Sequence, residues 1–154
     1  MTDDRLVKTV EISVFAHATE DEEKVKQAVK QLTPNEAIFE TQKLIGHYDD
    51  PITLISISIA KKKEATELLQ KIYNRLSSLD RQTILDSLEN RIDPTGNLYL
   101  RLDKQRAYNG KFTLHENDPI RIKFKLQIPH GADQVTTIRE YLLNISEEEE
   151  TAEQ

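Results

Sequence analysis

The stretch Asn97 to Gly110, NLYLRLDKQRAYNG, combines residue types that suit contact with a polyanion better than they suit catalysis. Arg101, Lys104, Arg106 and Lys111 carry cations that can neutralise phosphate oxygens, and Arg121, Lys123 and Lys125 follow shortly after. Tyr99 and Tyr108 offer flat rings on which an unpaired base or a ribose can rest, and Phe15 is a further candidate. Their spacing adds to the signal. Leu98, Leu100 and Leu102 alternate with Asn97, Tyr99, Arg101 and Asp103, so a strand here turns its leucines to one side and its ring and guanidinium to the other. The chain then leaves through Lys104, Gln105, Arg106 and Tyr108 and turns at Asn109-Gly110, a hairpin-type signal. A solvated strand face would look the same if this strand stood alone.

Other chemistries find no footing. The four histidines stand at 17, 47, 115 and 130, none four residues from another. His17, ending one strand, and His47, following another, could meet in space, but surface positions explain them more simply. Asp49-Asp50 offers two carboxylates to a hard cation, but a solvated turn explains them as well. There is no glycine-rich phosphate loop and no Gly-x-Ser-x-Gly elbow. The expectation is therefore no catalytic residue, no metal and no cofactor.

With 154 residues, 37% of them apolar, the chain can bury one real core but not two comfortable ones. It has no cysteine, hence no disulfide, thiol nucleophile or cysteine-ligated zinc. No apolar run approaches the length of a membrane span, and MTDDRLVK has no signal-peptide core, so a cytoplasmic protein is expected. The net charge of −6 is unevenly spread. Residues 146–154, SEEEETAEQ, hold five acids and no base, and the rest of the chain holds 22 acids against 21 bases. Asn97 to Lys125 holds seven bases and three acids. Such asymmetry speaks about partners rather than fold.

The elements that must carry these groups follow from periodicity. Leu6 to His17 alternates as a strand, with Val10, Ile12, Val14 and Ala16 on one face and Phe15 and His17 on the other. Thr19 and Glu22 match a capping box ahead of a helix from Glu20 to Gln31 that Pro34 stops. Ala37 to Gly46 reads as an edge strand and Ile52 to Ala60 as a strong one. Helical spacing runs from Lys61 through Leu76, and Asp80 is placed to cap a second helix reaching Ile92. After the opening strand, Lys111 to Leu114 reads as a short strand. Ile120 to Ile128 is the cleanest alternation of all, with Arg121, Lys123, Lys125 and Gln127 on its polar side. Asp133 caps a last helix, and the acidic tail from Ser146 reads as disordered.

The order β-α-β-β-α-α-β-β-β-α implies an α+β fold: a mixed, mainly antiparallel sheet with helices on one face and the other face open. It forms one RNA-binding-like domain over residues 1–145, with 146–154 as the tail. An open face gathering Phe15, His17, Tyr99, Arg101, Arg121, Lys123 and Lys125 resembles a platform for RNA, with cations for affinity and rings for unstacked bases. The alternative is a protein-interaction or homodimer module that docks through the open face or an edge strand.

Five pieces carry a family resemblance: VFAHATEDEEKV (14–25), GHYDDPI (46–52), ENRID (89–93), LYLRLDKQRAYNG (98–110) and NDPIRIKFK (117–125). Together they resemble the archaeal family of predicted exosome subunits or predicted RNA-binding proteins, whose fold is similar to that of the large-subunit ribosomal protein "L five". The resemblance spans roughly residues 6 to 145, and LYLRLDKQ is its most specific piece. It implies binding to ribosomal or other structured RNA as an accessory factor of RNA processing or of the ribosome, with exosome or ribosome components as partners. Carried over residue by residue, it implies roles for Arg101, Asp103, Lys104 and Gln105, with Asp103 pairing a nearby base to hold the exit loop. The family turn before Pro51 often reads Gly-Asn where this chain has Asp49-Asp50, so that turn is not carried over as a site.

Overall fold

The computed structural model describes residues 6–33 and 38–153, with side chains described through Ile145. Pro34, the expected helix stop, and Ala37, the expected start of the second strand, lie outside the described residues. The elements are β1 (Val7–His17), α1 (Glu22–Lys30), β2 (Glu40–Ile45), β3 (Pro51–Ile59), α2 (Lys62–Arg75), α3 (Ser78–Asp86), α4 (Leu88–Arg91), β4 (Asn97–Leu102), α5 (Lys104–Tyr108), β5 (Ile120–Leu126) and α6 (Gln134–Glu153). The class is α+β, as expected. The five strands lie in the order β2-β3-β1-β5-β4, every neighbouring pair is antiparallel, and the sheet does not close.

One face carries the core. Val10, Ile12 and Val14 of β1, Ile55 and Ile57 of β3, Leu98 and Leu100 of β4 and Ile122 and Phe124 of β5 are all at most 2% exposed. Each such side chain contributes on the order of 1.5–3 kcal/mol by leaving water. Beneath them α1 and α2 lie against β1, α6 packs on α2, α4 sits beside β4 and α5 lies against α1. The alternating residues of the same strands face away from this layer. Alternation alone therefore sorts the chain into a covered and an open side.

Several local expectations need correction. Lys111–Leu114 forms no strand: a single bridge from Leu102 to Leu114 remains, closed by the Asp103 amide donating to the Thr113 carbonyl and the His115 amide to the Arg101 carbonyl, and the Leu114 amide donates to the Asp80 carboxylate at 3.1 Å. Asp80 is thus not the cap of α3. That role falls to Ser77, which accepts from the Asp80 amide. The expected single helix reaching Ile92 is two, α3 and α4. They meet at Ser87, whose hydroxyl donates to the Thr83 carbonyl at 2.6 Å and accepts from Arg91 Nε at 2.7 Å. A side chain that competes for backbone groups in this way interrupts a helix. α1 is capped by Asp21 rather than Thr19. The exit after β4 is not a hairpin turn but the short helix α5, whose N-cap is Asp103 and which ends before Asn109 and Gly110. The bounds of α6 extend through residues 146–153, the segment read above as the tail.

Candidate nucleic-acid interface

On the open face the register sets the candidate residues in rows. Arg101 of β4 stands directly opposite Arg121 of β5, which stands opposite Ser13 of β1 and, beyond it, Ser56 of β3. The next row runs Tyr99, Lys123, Glu11, Ser58, and the next begins Asn97, Lys125, Thr9. Two guanidiniums facing each other across a strand pair repel, a cost a sheet normally avoids. Here Arg101 reaches Glu116 at 3.4 Å, and Arg121 lies 5.9 Å over the Phe15 ring. Tyr99, Arg101, Arg121 and Lys123 rim a shallow concavity of about 560 Å³, floored in part by Ser13, Ser56 and Ser58. Phe15 and Tyr99 are not neighbours: they lie on β1 and β4, separated by β5 and two rows apart.

The face also carries acids. Glu11 lies 3.9 Å from the Lys123 ammonium, and Glu116 lies between Arg101 and Arg91. Both carboxylates are more than half exposed, so these pairs are worth only a few tenths of a kcal/mol and leave the cations available to a stronger anion.

Tyr99 is fixed from below by Asp93. One Asp93 oxygen accepts from the Thr95 amide and hydroxyl and from the Asn97 amide, and the other from Asn97 Nδ2 and, at 2.8 Å, the Tyr99 hydroxyl. These bonds, the Asn97 side chain's foremost, hold the Asp93 carboxyl well below the usual carboxylate range. The same bond pushes the Tyr99 phenol up. The turn at 93–97 thus starts β4 in register and pins the ring that β4 presents.

The remaining candidates lie elsewhere. Lys104 is buried to 12% side-chain exposure, and its ammonium donates to the Phe15 carbonyl at 2.7 Å, Glu20 at 3.0 Å and Asp118 at 2.7 Å. Three acceptors match the three donors of an ammonium, so none is left for phosphate. Burial pushes the Asp118 carboxyl up, but hydrogen bonds from Lys104 and His17 outweigh it and hold the group below its ordinary value. Asp118 also takes a φ of 50°, a left-handed conformation that this network must maintain. His17, Glu20 and Asp118 offer ligand atoms within 4.8 Å of one another, but the ammonium of Lys104 already fills the cation's place. His47 lies instead against Tyr48, at 5.0 Å between rings. Gln105 and Tyr108 line a groove between α5 and α1, while Arg106 and Lys111 are exposed and line neither concavity.

So the structure brings together Tyr99, Arg101, Arg121 and Lys123, with Lys125 one row on, and sets Lys104, Gln105, Arg106, Tyr108 and Lys111 apart from them. Asp93, Glu20 and Asp118 were not singled out as contributors. Their signal was present, since each stands in or beside a motif piece, Asp93 at the end of ENRID and Asp118 in NDPIRIKFK. The turn at 49–50 also finds a physical reason. Asp49 has a φ of 60°, a region that costs glycine nothing and aspartate something, so the Gly-Asn form of that turn is the relaxed one.

The family model described as RNA binding matches residues 9–126, from within β1 to the end of β5. The chain is 31% identical over 141 residues to RNA-binding protein PAB1135 of Pyrococcus abyssi, covering 86% of this chain and 92% of that protein. Among solved structures, protein AF2318 from Archaeglobus fulgidus is 32% identical with a TM-score of 0.77, covering 88% of this chain and 99% of that one. A DUF54 protein from Methanothermobacter thermautotrophicus is 29% identical with a TM-score of 0.73, covering 89% and 98%. With the open, cation-bearing sheet and a match over most of its length, this chain belongs to the family described as RNA binding.

Proposed function

We propose that the protein is a non-catalytic RNA-binding protein that receives RNA on the β4–β5 half of its open sheet face. The observation that carries this is the direct pairing of Arg101 with Arg121, flanked by Lys123 and Lys125. Such a cross-strand cluster of cations destabilises the free sheet and is relieved by an anion. In this role Arg101, Arg121, Lys123 and Lys125 contact phosphates, and Tyr99, with Phe15 at the other end of the cation cluster, stacks on bases or riboses. Lys104 serves the fold. A single domain over 1–145 does the binding, and the acidic tail at 146–154 competes with RNA for the basic rows. Its place is cytoplasmic, as an accessory RNA adaptor of an exosome or of the ribosome, a role supported by the likeness of its motifs to the archaeal family and by that family's similarity to L five. No described helix is long and apolar enough to cross a membrane.

The test is a salt titration of binding to a structured and to a single-stranded RNA, with and without residues 146–154. A fall of log affinity with log salt at a slope near −0.9 per phosphate contact in duplex, or about −0.7 in single strands, is expected. Tighter binding of the truncated chain at low salt is expected of a competing tail. No binding to either RNA at low salt, tail or no tail, contradicts the proposal.

One observation favours a second use. The edge strand β2 ends on Ile45, 78% exposed, and is flanked by Ile38 and Tyr48, each 82% exposed. An unpaired edge beside exposed apolar side chains is a docking strand for a partner or a second copy. Sedimentation across a concentration range reads this directly: dimerisation abolished by Ile45→Lys supports it, and a monomer throughout removes the homodimer.

A further inference from the structure

We infer that the groove between α1 and α5 is a second nucleic-acid site, on the helical side of the molecule, and that it takes one unpaired nucleotide of single-stranded RNA. It measures about 420 Å³, within the range of pockets that enclose a small molecule. Its floor is apolar: Val25 is 5% and Ala28 1% exposed. Its wall is Tyr108, 42% exposed, whose hydroxyl has no partner among the described residues. A ring that lines a groove together with aliphatic side chains offers a flat base apolar surface to rest on.

The polar groups at the rim narrow the choice of ligand. The Gln105 side-chain amide and the Lys24 ammonium also have no partner among the described residues. The amide supplies one donor and one acceptor in a plane, the pattern that adenine's exocyclic amine and ring nitrogen complete. Lys24 supplies one charge, enough for one phosphate and too little for a polyphosphate. The two carboxylates present do not call for a cationic ligand, since Glu20 is held by Lys104 and by the His17 amide, and Asp21 accepts from the Glu23 amide as the cap of α1.

The site's position links it to the sheet. Leu102 and Ile120 form the end pair of β4 and β5, next to Arg101 and Arg121, and α5 begins two residues beyond Leu102. Lys104 joins that point to Glu20, at the entry to α1. A strand that crosses the arginine pair and leaves over this end of the sheet meets the groove. The groove rests on the RNA-binding proposal for its partner class, but its residues are separate from the sheet face, so the two can fail separately.

The experiment is a titration of the full chain, isotopically labelled, with an adenosine tetraribonucleotide, following backbone amide shifts. Shifts are expected at residues 24–28 and 104–109 as well as on β4 and β5. Tyr108→Ala should weaken binding about five-fold or more, in the range of one lost base stack, while Tyr108→Phe keeps it. Because stacking carries no charge, the salt slope should not change. Shifts confined to the sheet face overturn the groove site and leave the proposed function standing. Shifts confined to the groove support the site and overturn the sheet-face proposal. No shifts at either place, or unchanged affinity in a folded Tyr108→Ala chain, overturns the groove.

Discussion

Lys104 and Arg121 are both cations in motif stretches, and the fold puts them to opposite uses. Arg121 projects from near the start of a strand into the open, with its guanidinium over the Phe15 ring and Arg101 opposite it in register. Lys104 begins a five-residue helix, turns inward and is closed off by two carboxylates and a carbonyl from three other parts of the chain. The residue types do not distinguish these outcomes. What does is the element: a strand's alternation forces every second side chain into solvent, whereas a helix start beside two other chain reversals meets the acceptors of each. A charged residue in a motif is available for binding only if the fold leaves it exposed, with no partner or only a weak solvated one.

The sharpest way to break this contrast is to truncate both cations. Lys104→Ala leaves Glu20 and Asp118 without their counter-charge, which costs 3–5 kcal/mol for a wholly buried pair and, discounted for carboxylates about a third exposed, about 2 kcal/mol here. Arg121→Ala should change stability by less than about 0.5 kcal/mol, as an exposed position does. Urea denaturation measures both, and equal losses would erase the distinction. Next in size is Tyr99→Phe, which removes one hydrogen bond to Asp93 and should cost about 1 kcal/mol in the same assay while retaining the ring.

Asp93 gives the contrast a pH dependence. Its carboxyl is held low in the folded chain, so its stabilising contribution is fully present above the unfolded value near 3.9 and is lost as pH falls through the folded value. Asp93→Asn should therefore lie furthest below the parent at pH 7, and the gap should narrow below about pH 4. A gap independent of pH would mean that the turn is held by something other than this carboxylate. Smallest of all is Glu116→Gln. Freed of an exposed partner worth about 0.2–1 kcal/mol, Arg101 should bind RNA up to about five-fold more tightly at low salt. Weaker binding would make Glu116 part of the recognition surface rather than a competitor.

The parts of this molecule legible in its sequence are those where one periodicity dominates. β1, β3 and β5 alternate cleanly because one face is packed and the other is not, and the open-face positions of Phe15, Tyr99, Arg101, Arg121, Lys123 and Lys125 followed from that alternation alone. What escaped was short or cooperative. α5 has five residues and one buried side chain, Ala107, too little for a helical period to register. The Lys104 network joins residues 84 and 14 positions apart, and no local pattern encodes such a meeting. Leu114 does bridge Leu102 as a strand residue would, but the pairing runs no further than that one position, and the Leu114 amide goes to Asp80 of α3. The candidate site divided where periodicity gave way to tertiary contact, at the end of β4.

In the proposed interface RNA is held by the strand cations and not by Arg106 and Lys111. The most direct measurement compares salt slopes for one RNA between the parent, a chain with Arg101, Arg121 and Lys123 all changed to alanine, and a chain with Arg106 and Lys111 changed to alanine. Each lost phosphate contact lowers the slope by about 0.7–0.9, so the triple variant should fall by about 2 while the α5 variant keeps the parent's slope. A parent-like slope in the folded triple variant, with the loss appearing in the α5 variant instead, would contradict the claim.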